Sequence, residues 1–294
     1  MLYSRKTNVI FVILQVILYL AFLILDLTET TPNFSVAIKY TIIIVCFCYA
    51  FFTKSDSRSI LFNITGNSFE FPVILKALMA NDAQLRARNK SCALKVFERE
   101  SVQSTLLFSV LMHKLAMFFT VISDLFLLVL DIQLLGVLTF ILVQIFYGLR
   151  ISIVKKHDLV KEFTTRIIIQ AVLTLFIAYI LKQINVLINP LLVATIFYFI
   201  YILTNTLLAI SVAMSAKYKR PSMQLFAIGM VLFLLCDINV GLFNMASFVT
   251  MPENIYVVVY SLSSILMWSF YAPSQVLLAY STQAIAKENV NESV

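Results

Sequence analysis

The sequence predicts an all-α, polytopic membrane protein with eight transmembrane helices, and three observations carry that prediction. Of 294 residues, 61% are hydrophobic. Only 13% are charged, about half of the ~25% usual in soluble domains. Mean hydropathy is +0.94, and the apolar residues lie in continuous runs. Runs of ~20 residues span a bilayer as helices. Their continuity argues against a β-barrel, whose strands alternate apolar and polar positions.

The runs fall at about 8–27, 34–53, 106–130, 134–154, 165–187, 190–214, 224–246 and 255–281, within one membrane domain, 1–294. The first is expected to be a retained helix, because Asp26-Leu27-Thr28-Glu29 follows it where a small-residue cleavage site would stand. Basic residues orient the set. Arg5 and Lys6 precede the first run. Lys54, Arg58, Lys76, Arg86, Arg88, Lys90, Lys95 and Arg99 follow the second. Arg150, Lys155, Lys156, Lys161 and Arg166 are read as the fourth connection, and Lys217, Lys219 and Arg220 as the sixth; Lys287 is in the tail. The opposite side has only Lys39 and Lys182. The positive-inside rule then places both termini in the cytoplasm. The net charge of +7 is accounted for by this bias and by attraction to anionic headgroups; no basic groove interleaved with aromatics points to nucleic acid.

Residues 54–105 form a cytoplasmic basic insertion. Phe71 to Met79 reads as a helix lying on the membrane face, with a cytosolic extension of the third helix as the alternative. Asn63-Ile64-Thr65 and Asn89-Lys90-Ser91 match glycosylation acceptors but face the cytoplasm in this topology. The cysteines, Cys46, Cys48, Cys92 and Cys236, have neither disulfide-framework nor zinc spacing. His113 and His157 are expected near membrane edges, away from any shared metal site, and no cofactor is expected.

Polar residues within the apolar runs point to function. Asp124 and Asp237 lie inside the third and seventh runs. A charge at mid-bilayer costs about 2.5–3.5 kcal/mol on insertion scales, so each should face the bundle interior; a buried pairing with Lys39 is one outcome. Helical spacing places Gly229, Phe233, Asp237 and Gly241 on one stripe, the small residues admitting a neighbour or substrate. Gly136, Phe140, Gln144 and Tyr147 make a second stripe, and Ser264, Trp268, Tyr271 and Gln275 a third. Thr120, Asp124 and Asp131 are expected to share a fourth. The stripes should converge on one cleft. Ser123 and Asn205 read as packing residues; Asp26, Asp131 and Lys39 read as interfacial groups, Lys39 as a snorkelling anchor. An Asp helix precedes a Tyr/Gln helix twice, at an offset of four helices, which predicts a 4+4 parallel repeat. Without a nucleophile elbow, Cys/His pair, phosphate loop or HExxH, the chemistry available is acid–base work by carboxyls, one donating a proton and the other, ionised, orienting water.

These motifs resemble the lysoplasmalogenase-like (YhhN) membrane family. Ser123-Asp124 followed by Gly136, Phe140, Gln144 and Tyr147 resembles its GD pair and G…F…H…Y pattern. Gly229, Leu232-Phe233 and Asp237 resemble its G..LF..SD segment; Tyr271 and Gln275 resemble its closing Y…Q segment; and Lys39 resembles its lysine at the start of helix two. The resemblance covers helices two through eight without the insertion. It implies eight helices and hydrolysis of the vinyl ether bond of lysoplasmalogens, releasing a fatty aldehyde and a glycerophospho-base. Asp124 and Asp237 are then the acid–base pair, with Lys39, Gln144, Tyr147, Tyr271, Gln275 and Asn205 around the lysophospholipid substrate and Lys39 holding its phosphate. Three positions depart: Ser123 stands for Gly, Gln144 for His and Asn205 for a frequent Met. Glutamine carries no titratable proton.

A non-catalytic lipid-binding or lipid-translocating protein is the competing reading, and the histidine loss favours it. A seven-helix receptor conflicts with the even helix count, and no lysine in 255–281 offers a retinal Schiff base. Enrichment in Ile, Phe and Lys over Gly suggests an AT-rich genome and a bacterial inner membrane.

Overall fold

The computed structural model describes residues 2–28, 32–52, 92–155, 159–215, 220–247 and 252–292. The predicted surface helix at Phe71–Met79 and the acceptors Asn63 and Asn89 lie outside these residues. The described chain is helical, with no strand: α1 (Leu2–Thr28), α2 (Pro32–Phe52), α3 (Cys92–Asp124), a π turn (Leu125–Val129), α4 (Gln133–Lys155), α5 (Leu159–Gln183), α6 (Pro190–Met214), α7 (Pro221–Phe243) and α8 (Glu253–Glu292). Eight stretches among them are long and apolar enough to cross a bilayer. The chain is an integral, multi-pass membrane protein. Helix α3 begins at Cys92, well before the apolar run, so the end of the insertion is a helical extension of α3.

Local chemistry sets several boundaries. Pro190 and Pro221 occupy first-turn positions, where the missing N–H removes nothing from the helix. The side chain of Asn189 caps α6 by accepting from the Leu192 N–H at 2.7 Å. Asn185 takes a positive φ of 64° and turns the chain after α5, so that helix stops at Gln183, short of the predicted 187. Asp131, with φ 52°, turns the chain between the π turn and α4. The expectation that Asp131 shares a helical face with Asp124 is therefore corrected: Asp131 is exposed in a connection.

Six helices pack as a ring in the order α2, α3, α4, α6, α7, α8, closing on α2; α1 lies outside against α2 and α8, and α5 lies outside against α6 and α4. Helix α5 carries an outward apolar face, with Ile169, Val172, Leu175 and Phe176 exposed. Hydrocarbon is the solvent that suits this face. Long-range bonds identify the two ends. Asn8 receives a hydrogen bond from the Tyr49 hydroxyl at 3.0 Å and donates to Tyr280 at 3.3 Å, so α1 begins where α2 and α8 finish. At the far end, Ser35 of α2 donates to Asp26 of α1.

Glycines mark two close approaches. A Cβ on Gly229 would meet the Leu278 side chain at 3.0 Å and its backbone nitrogen at 3.3 Å, so α7 and α8 touch there. A Cβ on Gly136 would run into the Leu127 side chain of the π turn. Gly241, expected to admit a neighbour, has nothing within 4 Å. Gly229→Val should accordingly destabilise the fold by about 1–3 kcal/mol through overpacking, whereas Gly241→Ala should leave it nearly unchanged. Thermal unfolding of the two purified variants in one detergent compares them.

Candidate functional site

Asp124 ends α3, and its neighbour in space is α8. The Tyr271 hydroxyl donates to Asp124 Oδ2 at 2.7 Å, and Asp124 is buried. Asp237 stands on α7 and draws its partner from α6, where the Tyr198 hydroxyl donates to Oδ2 at 2.6 Å. Asp237 is half-buried. The two carboxyls lie within electrostatic reach of each other, so α3, α6, α7 and α8 meet at one site. Tyr40 of α2 also lies within electrostatic reach of Asp124.

The depth differs from expectation. Asp124 precedes the end of its span, Val129, by five residues, and Asp237 precedes Phe243 by six. At 1.5 Å per residue this is about 8–9 Å from the helix ends, in the outer part of the spans rather than at their midpoint. A carboxyl is less costly there.

Aromatic rings wall the site. Phe233 packs against Tyr271 and Phe140 with ring centres 5.5 and 5.8 Å apart, and Trp268 meets Tyr271 edge-on at 5.5 Å. All four stripe residues of α4, Gly136, Phe140, Gln144 and Tyr147, are buried, as the spacing predicts. On α8, Trp268, Tyr271 and Gln275 are buried and Ser264 partly so. On α7, Gly229 and Phe233 are buried, Asp237 half-buried and Gly241 exposed.

The remaining predicted residues separate into those at the carboxyls and those away from them. Gln144 is fully buried; its backbone carbonyl and its Oε1 accept from Asn205 Nδ2 at 2.7 and 3.1 Å. Its Nε2 makes no hydrogen bond among the described residues, and the Gln144 side chain is near the Tyr198 hydroxyl. Asn205, read from sequence as packing, is thus part of a polar network. Gln275 is buried one turn beyond Tyr271, with neither amide end hydrogen-bonded among the described residues. Tyr147 is at neither carboxyl: its hydroxyl points to Met117 Sδ at 3.3 Å. Lys39 does not pair with Asp124 or Asp237 either. Its ammonium meets Asp26 Oδ2 at 2.6 Å and lies 5.0 Å from the centre of the Trp268 ring. Asp26 is the nearer acceptor because α1 and α2 are adjacent and antiparallel.

Sequence reasoning missed the surroundings of four side chains and one backbone feature. Tyr198 was unmarked, although Tyr198, Tyr201 and Asn205 follow at three and four on α6. Arg150, assigned to a connection, is fully buried inside α4; its Nη1 donates to Ser281 Oγ at 3.1 Å and to His113 Nδ1, and its guanidinium lies 4.1 Å from the Phe226 ring centre. His113, six residues into its span and so toward a membrane edge as expected, is fully buried beside it. An arginine can only donate, so His113 Nδ1 is an acceptor and its ring proton is on Nε2. Arg166, also read as a connection residue, reaches from α5 to Asn205. The π turn after Asp124, with Leu130 N–H bonding Leu125 O at 3.0 Å, was unmarked as well. Among the described residues no three His, Cys, Asp or Glu side chains converge as metal ligands.

The fold and site define a helical membrane protein with paired carboxyls inside its bundle. The model of the YhhN family matches residues 92–282, and the chain belongs to that family. The match begins at α3, so Lys39 and the rest of α2 lie outside it. Searches of curated proteins and of solved structures returned no match.

The Asp26–Lys39 pair is mostly enclosed, and breaking it from one side strands a charge. Lys39→Met should destabilise by about 1–3 kcal/mol. The double variant Lys39→Met/Asp26→Leu should recover much of that loss in the same unfolding assay, giving a non-additive cycle.

Proposed function

We propose that the chain hydrolyses the vinyl ether bond of lysoplasmalogen-type lysophospholipids, with Asp124 and Asp237 as the acid–base pair. The observation that carries this reading is the pair of tyrosine contacts at the two carboxyls: each is held at one oxygen by a tyrosine hydroxyl, and Asp237 lies within electrostatic reach of Asp124. The second oxygen of each is left for substrate or water. Family membership supports the same class of reaction.

The chemistry needs those two groups. A proton adds to the vinyl carbon remote from the ether oxygen, giving an oxocarbenium ion. Water then attacks the carbon bonded to oxygen, losing a proton to a base. The hemiacetal collapses to a fatty aldehyde and a glycerophospho-base, so one water is consumed and no redox change occurs. Charge is better tolerated at the less enclosed position, so Asp124 is assigned the proton donor and Asp237 the carboxylate that orients water. Tyr40, Phe233 and Trp268 wall the pair, and Gln275 supplies a buried amide for the lipid's polar atoms. Lys39 is proposed to exchange Asp26 for the lipid phosphate.

We also propose that both termini are cytoplasmic, that the basic connections contact anionic lipid, and that the chain resides in a bacterial inner membrane. The 4+4 repeat is supported by the packing order. The relations α1 to α2, α2 to α3, α3 to α4, α2 to α8 and α1 to α8 recur as α5 to α6, α6 to α7, α7 to α8, α6 to α4 and α5 to α4. In this scheme Tyr198 on α6 is the counterpart of Tyr40 on α2.

Gln144, which carries no titratable proton, favours a second reading, in which the chain binds or moves lysolipid without cleaving it. One assay separates the two. Purified protein in nanodiscs, given a lysoplasmalogen, should release fatty aldehyde. Asp124→Asn and Asp237→Asn should each lower that rate about 10²–10⁴-fold, and Tyr198→Phe and Tyr271→Phe about 10- to 100-fold. Intact lipid with wild-type protein would favour the binding reading, and unchanged rates in the Asn variants would remove the two aspartates from the mechanism.

A further inference from the structure

The polar groups between Arg166 and Asp237 form a line whose direction is set by donor and acceptor inventory. Arg166 Nη2 donates to Asn205 Oδ1 at 2.5 Å. A guanidinium has donors only, so this contact determines which end of the Asn205 amide is oxygen. Asn205 must then turn Nδ2 toward α4, where it meets the Gln144 carbonyl at 2.7 Å and Oε1 at 3.1 Å. The Gln144 amide is fixed in its turn: Oε1 faces Asn205, so Nε2, buried and not hydrogen-bonded among the described residues, is the end left for the nearby Tyr198 hydroxyl. Tyr198 spends its proton on Asp237 at 2.6 Å, leaving its oxygen free to accept. The hydrogen bonds from Arg166 to Asn205, from Asn205 to Gln144 and from Tyr198 to Asp237 all run the same way, and Asp237 is the terminal acceptor.

The position of Arg166 is built into the fold. Its guanidinium lies 5.4 Å from the Tyr201 ring centre. A Cβ on Gly148 would stand 3.1 Å from Asn205 Oδ1 and 3.2 Å from Arg166 Nη1, so the glycine is the notch through which α5 reaches Asn205 past α4.

We infer that Arg166, Asn205 and Gln144 are positioning residues that set Asp237 as the accepting carboxylate of the pair. The inference rests on the proposed hydrolysis for its kinetic consequence but not for its structural one. Glutamine suits the role at position 144: it accepts at one atom and donates at the other, and so passes the direction on without titrating. Leucine would cut the line, and glutamate would have no hydrogen to give Tyr198 once ionised.

The deciding variant is Asn205→Asp. It keeps, and by charge strengthens, the contact to Arg166, but it has no donor for Gln144. A packing role for Asn205 tolerates this change; a directional role does not. In nanodiscs with a lysoplasmalogen, Asn205→Asp should lower kcat about 10- to 100-fold with KM and the unfolding temperature near wild type, the pattern of a contact that matters in the transition state. Arg166→Met should behave likewise, and Arg166→Lys, which still donates, should restore most of kcat. Wild-type kcat in Asn205→Asp would overturn the inference. Independently of turnover, solid-state NMR of protein labelled with ¹⁵N-asparagine and ¹³C-glutamine should show a cross-peak between the Asn205 side-chain nitrogen and the Gln144 side-chain carbonyl carbon. The cross-peak should be lost in Arg166→Met, and its absence from wild type would also overturn the inference. If wild-type protein cleaves no vinyl ether, the proposed reaction fails, while the cross-peak still decides the direction of the line.

Discussion

Two carboxyl groups withdrawn from water inside an apolar bundle constrain much of this structure. A buried polar group without a hydrogen bond is expensive, and neither α3 nor α7 carries a suitable donor for its own aspartate. Both donors come from other helices: Tyr271 from α8 for Asp124 and Tyr198 from α6 for Asp237. Satisfying these two groups brings α8 to α3 across the six-helix ring and α6 against its ring neighbour α7. Phe233 ties the same region together by packing on Tyr271 and Phe140. The site therefore ties the ring both across its middle and along one side.

A second polar layer lies nearer the end that carries both termini. Arg150 is six residues along α4 from Gln144, about 9 Å at 1.5 Å per residue. It binds His113 of α3 and Ser281 of α8, so the helices that meet at Asp124 meet again here. Arg166 does comparable work from outside the ring, through Asn205, toward Asp237. Both arginines act as fixed donors. Their value lies less in charge than in removing ambiguity: an amide or imidazole can face two ways, and a guanidinium contact leaves it one.

The π turn after Asp124 and the glycine opposite it belong together. Leu127 of this turn packs onto α4 at Gly136, where a Cβ would require the leucine side chain to shift. π turns are frequent at functional sites, and this one begins at the residue after the buried carboxyl.

Helix class, the eight apolar stretches and the buried faces of α4 and α8 were legible in the sequence, because each follows from composition or a 3.6-residue period; Asp124 was expected to face the bundle interior, and it is buried there. Depth was read less well. The apolar runs locate spans but not where along them a carboxyl is tolerable, and both aspartates sit toward one end. Lys39 illustrates a partner choice that periodicity does not make: Asp26, Asp124 and Asp237 were all chemically suitable, and the adjacency of α1 and α2 decided for Asp26. Arg150 and Arg166 were read as marks of topology because lysine and arginine outside the runs usually are.

The sequence by itself determined a helical membrane protein of this family, with eight spanning stretches among the described residues and a carboxyl in each of two of them, since hydropathy and short motifs are local properties of the chain. Tertiary structure alone decided which tyrosine holds which aspartate, that Tyr147 turns to Met117 instead, and that Arg166, Asn205 and Gln144 line up toward Asp237. Hydrogen-bond partners are selected by distance between helices far apart in sequence, and the donor-to-acceptor direction becomes defined only when those helices are packed.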